Sequence, residues 1–199
     1  MSRIHSQADQ LIPSHLIGLT HVTHKKFERL CREYPDLRLE LTSSGDLIVM
    51  PPTGMETGVR CSNLTYQIAV WARKDGTGVP FGPSVGFTLP NGAIRSPDGS
   101  WMTREKYNGL TPRDRRGFGH VCPDFVVELR SHSDSLPTLL NKMEEYMENG
   151  ASLGWLIDPD RHRVYVYRAD EEMVILEDPT VVSGDPLLPG FELQMHEIW

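Results

Sequence analysis

Two acidic residues sit where a carboxylate is hard to keep. Glu128 interrupts the run Asp124-Phe125-Val126-Val127-Glu128-Leu129, which follows Pro123 and has the β-branched and aromatic content of a strand. An ionised carboxylate between Val127 and Leu129 loses its water and needs a cation or a set of donors in exchange. Asp98 follows Pro97 in "RSPDGSWMT", a segment short enough to be another strand or strand edge. If the two segments are neighbours, both carboxylates reach one point, where they repel each other. A bound divalent cation relieves the repulsion and the desolvation together. Magnesium takes oxygen ligands, often one or two carboxylates with retained waters and substrate phosphate oxygens. A cation so held polarises a phosphodiester and generates a hydroxide nucleophile. Paired carboxylates serve salt bridges and caps more often than catalysis. What sets this pair apart is the order "SPD", then "VVELR", then a lysine, Lys142, on the amphipathic segment that follows.

Particular elements must position these groups. "THKKFERLCREYPD" predicts a first helix capped by Thr23, striped with Phe27, Leu30 and Cys31, and stopped by Pro35. "LRLEL" and "DLIVM" read as strands of a hairpin around "TSSG". A second helix runs roughly from Glu56 to Lys74 and closes at Asp75-Gly76. Cys61, Leu64, Ile68 and Trp71 mark its core face, while Glu56, Arg60, Asn63 and Gln67 form a polar stripe of the kind that usually faces water. "VPFGPSVGFTLPNG" gives two strands and a turn, and "REKYNGLTPRDRRGFGHV" a short helix plus loop. The third helix, "SLPTLLNKMEEYMEN", turns Leu136, Leu139, Leu140, Met143 and Met147 inward; Asp134 or Ser135 caps it and Gly150 stops it. Lys142, at the edge of that stripe, can lean toward the strand ends or pair along the helix with Glu145 or Glu148. Tyr146, one turn on, can bond to the site or pack. "LGWLID" and "RVYVYR" flank the turn "PDRH". The β-rich ending, "EMVILE" and "VVSGDPLLPGFELQMHEIW", is assigned no chemistry. The reading is one α+β domain over 1–199: a helix and hairpin at 15–50, a core at 51–168 and a β-rich extension at 169–199.

The chain of 199 residues can bury a real core, and its 39% hydrophobic and 24% charged content describes an ordinary globular protein. No apolar run approaches a membrane span, and "MSRIHSQADQ" has no leader-like pattern, so the expected location is the cytoplasm, without membrane association. Cys31, Cys61 and Cys122 are odd in number and form no CxxC pair, which argues against a disulfide framework or structural zinc. A net charge of -7 argues against nonspecific coating of nucleic acid, but not against an enzyme that binds it through a metal and a local patch. The one dense basic run, Arg113, Arg115, Arg116 and His120, reads as a solvated loop or a phosphate-contacting edge.

The segments "RSPDGSWM", "CPDFVVELRSHSDSL", "NKMEEYMENGASLGWLIDP" and "RVYVYR", in that order, resemble the Uma-two family, a bacterial group described as putative restriction endonucleases. The resemblance covers most of the chain, from the first helix to "VYVYR". It implies a restriction-endonuclease-like fold, a mixed sheet flanked by helices, with a PD-(D/E)XK nuclease site. Pro97-Asp98 would supply the PD half and Glu128 the acidic residue of the second half. The expected lysine position is Arg130, which cannot act as a base but can bind phosphate or stabilise developing charge. Similar sequences place the missing lysine on the next helix, where Lys142 stands here. In the superfamily an early helix often adds an acidic metal ligand, which makes Glu56 a candidate. A glutamate in a first turn is also explained by the helix dipole. Asp124 and Asp134 are weaker candidates, as pairing and capping residues. His132, where similar sequences commonly have proline, can bind phosphate or be a tolerated surface change.

The leading expectation is a DNA endonuclease dependent on Mg2+ or Mn2+. Asp98 and Glu128, with Glu56, would hold the metal, Lys142 would orient or activate water, and Arg130 would contact the phosphate. A homodimer matches the two-fold symmetry of duplex DNA. The alternative is an inactive nuclease fold that binds nucleic acid or protein. A carbohydrate hydrolase would need two carboxylates flanking an open cleft and an aromatic platform, and no such platform is seen.

Overall fold

A computed structural model describes residues 12–199; the amino-terminal stretch on which the leader was judged lies outside them. Helix α1 (His24–Glu33) begins at Thr23, whose hydroxyl accepts the Lys26 N–H at 3.3 Å. Its Phe27 and Leu30 pack on the hairpin of β1 (Arg38–Leu41) and β2 (Leu47–Met50). Along β1 the side chains alternate. Leu39 and Leu41 join α1 in that small core, which leaves Arg38 and Glu40 together on the other face.

Helix α2 (Met55–Asp75) ends at Gly76, whose φ of 76° is the left-handed conformation that glycine adopts without penalty. Strands β3 (Gly78–Phe81), β4 (Phe87–Thr88), β5 (Ile94–Arg95) and β6 (Gly99–Thr103) follow. Among the described residues they divide between two mixed sheets. One has the order β2-β1-β5-β4-β7, with β7 at Gly119–His120. The other runs β11-β10-β9-β8-β6-β3, with β8 (Phe125–Leu129), β9 (Leu153–Asp158), β10 (Arg163–Arg168) and β11 (Val174–Glu177). The two strands expected in "VPFGPSVGFTLPNG" therefore exist but never meet, because β3 pairs with β6 and β4 with β5 and β7. The chain crosses from one sheet to the other at Ser96-Pro97-Asp98, between β5 and β6.

The six-stranded sheet is covered on both faces. Leu64, Ile68 and Ala72 of α2 meet Phe125, Val127, Trp155 and Ile157 on one side; Met143 and Tyr146 of α5 (Leu136–Glu148) meet Val126, Leu156 and Tyr165 on the other. Helix α5 is the crossover between the parallel strands β8 and β9, the unit that buries a strand on both faces. The region expected to be one short helix plus loop holds two short helices, α3 (Arg104–Gly109) and α4 (Pro112–Arg116). The second arises from a capping box between Thr111 and Asp114, with Pro112 at its start. Strands β12 (Val181–Ser183) and β13 (Glu192–Gln194) form the closing hairpin.

The closing segment corrects one expectation. Asn63 donates to the Glu197 carbonyl at 2.8 Å, and the Gln67 amide both accepts from and donates to the Gln194 backbone. This part of the polar stripe on α2 is thus docking surface for the carboxy-terminal segment rather than a wet face. No described helix is long and apolar enough to cross a membrane.

Candidate active site

Antiparallel pairing of β6 with β8 sets Gly99 opposite Val127. One step further along the same register, Asp98 faces Glu128. Asp98 Oδ2 accepts the Leu129 N–H at 2.9 Å, which holds it at the strand end. Its Oδ1 has weaker company, the Cys61 thiol at 3.8 Å and an Arg38 guanidinium nitrogen at 3.7 Å.

Glu128 points to the face covered by α5. On that helix Lys142 and Tyr146 are four residues apart and share a side. The Lys142 ammonium lies 2.8 Å from Glu128 Oε1, and the Tyr146 hydroxyl donates to the same oxygen at 3.0 Å. Glu128 Oε2 has no hydrogen-bond partner among the described residues. The strand carboxylate thus meets a lysine and a tyrosine, and Lys142 does not pair with Glu145 or Glu148 along its own helix.

A third carboxylate, Glu40 of β1, completes the cluster. The register of β1 with β5 sets Leu41 opposite Ile94, so Glu40 faces Arg95. Its Oε1 accepts from Lys142 at 2.9 Å and from the Ser96 N–H at 2.9 Å; its Oε2 meets Arg95 at 3.2 Å. Arg95 also holds Glu145 at 2.6 Å, and Asn91 donates to that carboxylate at 3.0 Å. Glu40 and Glu128 are only 2% and 4% exposed. Lys142 therefore bridges a carboxylate from each sheet.

The charges in this cluster are unequally compensated. Burial pushes Glu128 up to about 7; Lys142 works against that, but Asp98 and Glu40 add repulsion. Burial likewise raises Asp98, with Leu129 N–H, Lys142 and Arg38 opposing. Burial would raise Glu40 too, yet Lys142 and Arg95 outweigh it and hold Glu40 below its ordinary value. Burial would lower Lys142, but Glu128 and Glu40 more than reverse it, so the ammonium stays charged. One contact thus favours the lysine's charge more than the glutamate's, because Lys142 sees two carboxylates while Glu128 also faces two of its own kind.

Asp98, Glu128 and Lys142 line a cavity of about 650 Å3 together with Arg38, the start of α2 and the Ser131–Asp134 turn. Glu56 lines this cavity from the first turn of α2. Among the described residues no three His, Cys, Asp or Glu side chains converge on one metal position, so Glu56 does not join Asp98 and Glu128. Arg130 departs further from expectation. Strand β8 ends at Leu129, and the Arg130 guanidinium turns to Asp158 Oδ2 at 2.8 Å and the Asp134 carbonyl at 3.2 Å, outside the cavity lining. Asp158 is fully buried and its Oδ1 has no partner. Arg130→Gln should therefore lower stability by about 3 kcal/mol, because it leaves the buried Asp158 only the more distant Arg161, at 4.0 Å. A fall in the urea midpoint checks this; an unchanged midpoint would refute the structural role.

The remaining candidates lie elsewhere. Asp124 accepts from the Thr103 N–H and Lys106, each at 2.8 Å. Asp134 closes the Ser131 turn, and Ser135 occupies the cap position of α5 without a side-chain bond. His132 is exposed beside Asp160 at the cavity rim. The basic run is exposed on and after α4, with His120 paired to Asp114 and Arg115 over Tyr107, and none of it lines the cavity. The three cysteines are free thiols. Sequence reasoning missed Glu40 and Arg38. Glu40, like Glu128, stands between apolar neighbours in a short strand, but its alternation with leucines fits a solvated strand face equally well.

The mixed sheet, its two helical faces and a carboxylate pair at the strand junction define a protein of the restriction-endonuclease-like fold. In agreement, a crystal structure of a putative nuclease belonging to DUF820 from Anabaena variabilis superposes with a TM-score of 0.68 at 21% identity, covering 84% of this chain and 95% of that one. The sequence profile of the Uma2 family, described as "Putative restriction endonuclease", matches residues 24–196, and the chain belongs to that family. No curated protein matches it.

Proposed function

We propose that the protein is a divalent-metal-dependent endonuclease that hydrolyses DNA phosphodiesters at the junction of its five-stranded and six-stranded sheets. The observation that carries this reading is the placement of Asp98, just before β6 and bonded to the Leu129 N–H of β8, beside Glu128 and a buried Lys142 at an open cavity. Two carboxylates whose charge is poorly compensated, each with a free or weakly held oxygen, fit a cation such as Mg2+ or Mn2+ that keeps waters and substrate oxygens in its other positions. Asp98 and Glu128 would hold it, and its chemistry there would be to polarise the phosphate and acidify a water.

The chain's own groups divide the remaining work. Lys142, kept protonated, is a donor rather than a base. Two of the three ammonium N–H groups serve Glu128 and Glu40, and the third is left to orient the attacking water or steady the charge on the phosphate. Arg38, half-exposed in the cavity, takes the phosphate-contacting role expected of Arg130. Tyr146 fixes the carboxylate plane of Glu128. A homodimer would cut both strands.

Calorimetric titration of Mg2+ or Mn2+ into wild type and Asp98→Asn, with plasmid nicking on both, tests the reading. Wild type should bind metal and nick, and Asp98→Asn should lose both by on the order of 100-fold or more. A folded wild type that binds no divalent metal but retains DNA would instead establish a binding module.

A further inference from the structure

Helix α2 carries an exposed apolar stripe that the core does not explain and that meets the cavity only at Met55. Opposite its buried Leu64 and Ile68, the side chains of Met55, Val59, Tyr66 and Val70 are 91, 62, 66 and 49% exposed. They recur at helical spacing, with Ser62 and Arg73 on the same exposed stripe. Single apolar residues on a surface need no explanation, but four along one helix face make a continuous patch of the kind that marks an interface. The charges at its two ends are opposite: Glu56 in the first turn, Arg73 and Lys74 in the last.

We propose that this stripe is the interface with a second copy of the chain, formed by two α2 helices packed antiparallel about a two-fold axis near residue 64. Such an isologous contact requires one patch to complement itself. This one does. In the antiparallel arrangement Val59 meets Val70 of the partner subunit, Tyr66 lies over Ser62 of the partner subunit, and Glu56 meets Lys74 of the partner subunit. Parallel pairing would oppose Glu56 to itself and stack the two basic ends, so the charges select the antiparallel form. Ser62 and Ala69 are small enough for the helices to approach closely.

The arrangement bears on the cavity. Met55, Glu56 and Thr57 line it, so pairing brings Arg73 and Lys74 of the partner subunit to its mouth. The helix spans about 27 Å between positions 55 and 73, at about 1.5 Å per residue. Each subunit would thus add two cations where the flanking phosphates of a bound duplex pass its neighbour. This use of the interface rests on the nuclease reading, whereas the pairing itself does not.

Sedimentation velocity over a dilution series tests the pairing on the full chain. Wild type should sediment at twice its 22.5 kDa chain mass. Tyr66→Glu and Glu56→Lys should each weaken dimerisation, the first on the order of 100-fold, with circular dichroism unchanged because both residues are exposed. The triple substitution Glu56→Lys, Arg73→Glu and Lys74→Glu should restore the dimer. A wild type that stays monomeric, or a dimer indifferent to Tyr66→Glu and Glu56→Lys, overturns the interface. A monomer that nicks DNA overturns the interface alone; a Tyr66→Glu-sensitive dimer that neither binds metal nor nicks upholds it and overturns only the nuclease reading.

Discussion

Glu128→Gln should abolish DNA nicking and, in metal-free buffer above pH 7, leave the protein more stable than wild type. Glu128 titrates near 7 in the fold, against an ordinary value of 4.5, because burial and two neighbouring carboxylates outweigh Lys142. Between those values the folded state holds a proton that the unfolded state has released, so stability falls as pH rises through the window and the loss is complete above about 7. A shift of roughly 2.5 units corresponds to about 3 kcal/mol as an order of magnitude. Glutamine keeps an oxygen for the Tyr146 and Lys142 donors and removes the charge. Melting curves of the two proteins should nearly coincide at pH 4.5 and separate by about 3 kcal/mol at pH 8. Glu40 acts in a different window. Its value is depressed, so its contribution is present above 4.5 and fades only as pH falls below that. Magnesium should stabilise wild type by mass action and leave the variant unmoved. Nicking should fall on the order of 1,000-fold. Parallel stability profiles from pH 4.5 to 8 would show that Glu128 is not held in an unfavourable charge state, and the metal assignment would lose its physical basis.

How much of this was legible in sequence depends on whether the deciding interaction was local. The three long helices, the first hairpin and the strands on either side of α5 follow from periodicity and turn residues, because each pattern reports the face that its own element buries. The Asp98–Glu128 pairing was legible in outline: a proline, a carboxylate and a short strand on each side allow the register that β6 and β8 adopt. Glu40 was not. In "LRLEL" a glutamate alternating with leucines fits the wet face of a half-buried strand equally well. Only the arrival of β5 and α5 over that face makes it a buried site, and those contacts reach 55 and 102 residues along the chain. Arg130 failed in the opposite direction. Its place in a local motif suggested the cavity, but the strand stops one residue earlier and the buried Asp158, 28 residues away, takes the guanidinium. The polar stripe on α2 misled for the same reason, since the segment covering Asn63 and Gln67 lies more than 120 residues further on.

Lys142→Met should cost more stability than Glu40→Gln, and the double variant should recover stability without activity. Methionine fills much of the lysine's volume but leaves Glu40 and Glu128 buried with one cation fewer between them. Arg95 and the Ser96 N–H still serve Glu40, whereas Glu128 keeps only the Tyr146 hydroxyl. Breaking a buried ion pair from one side costs about 3–5 kcal/mol, and the cost should be smaller near pH 5, where Glu128 carries a proton. In Glu40→Gln the ammonium retains Glu128 and Arg95 retains Glu145, so the loss should be about 1–2 kcal/mol. Removing both partners relieves the repulsion, and the double variant should lie above Lys142→Met alone, a coupling that a double-mutant cycle measures directly. Nicking should stay absent in both proteins that lack Lys142. Lys142→Arg should not restore it, because a planar guanidinium cannot point separate donors at two carboxylates and a water from one nitrogen. If Lys142→Met folds and still nicks at the wild-type rate, the ammonium between the two sheets is structural glue alone, and the donor facing the phosphate must come from Arg38.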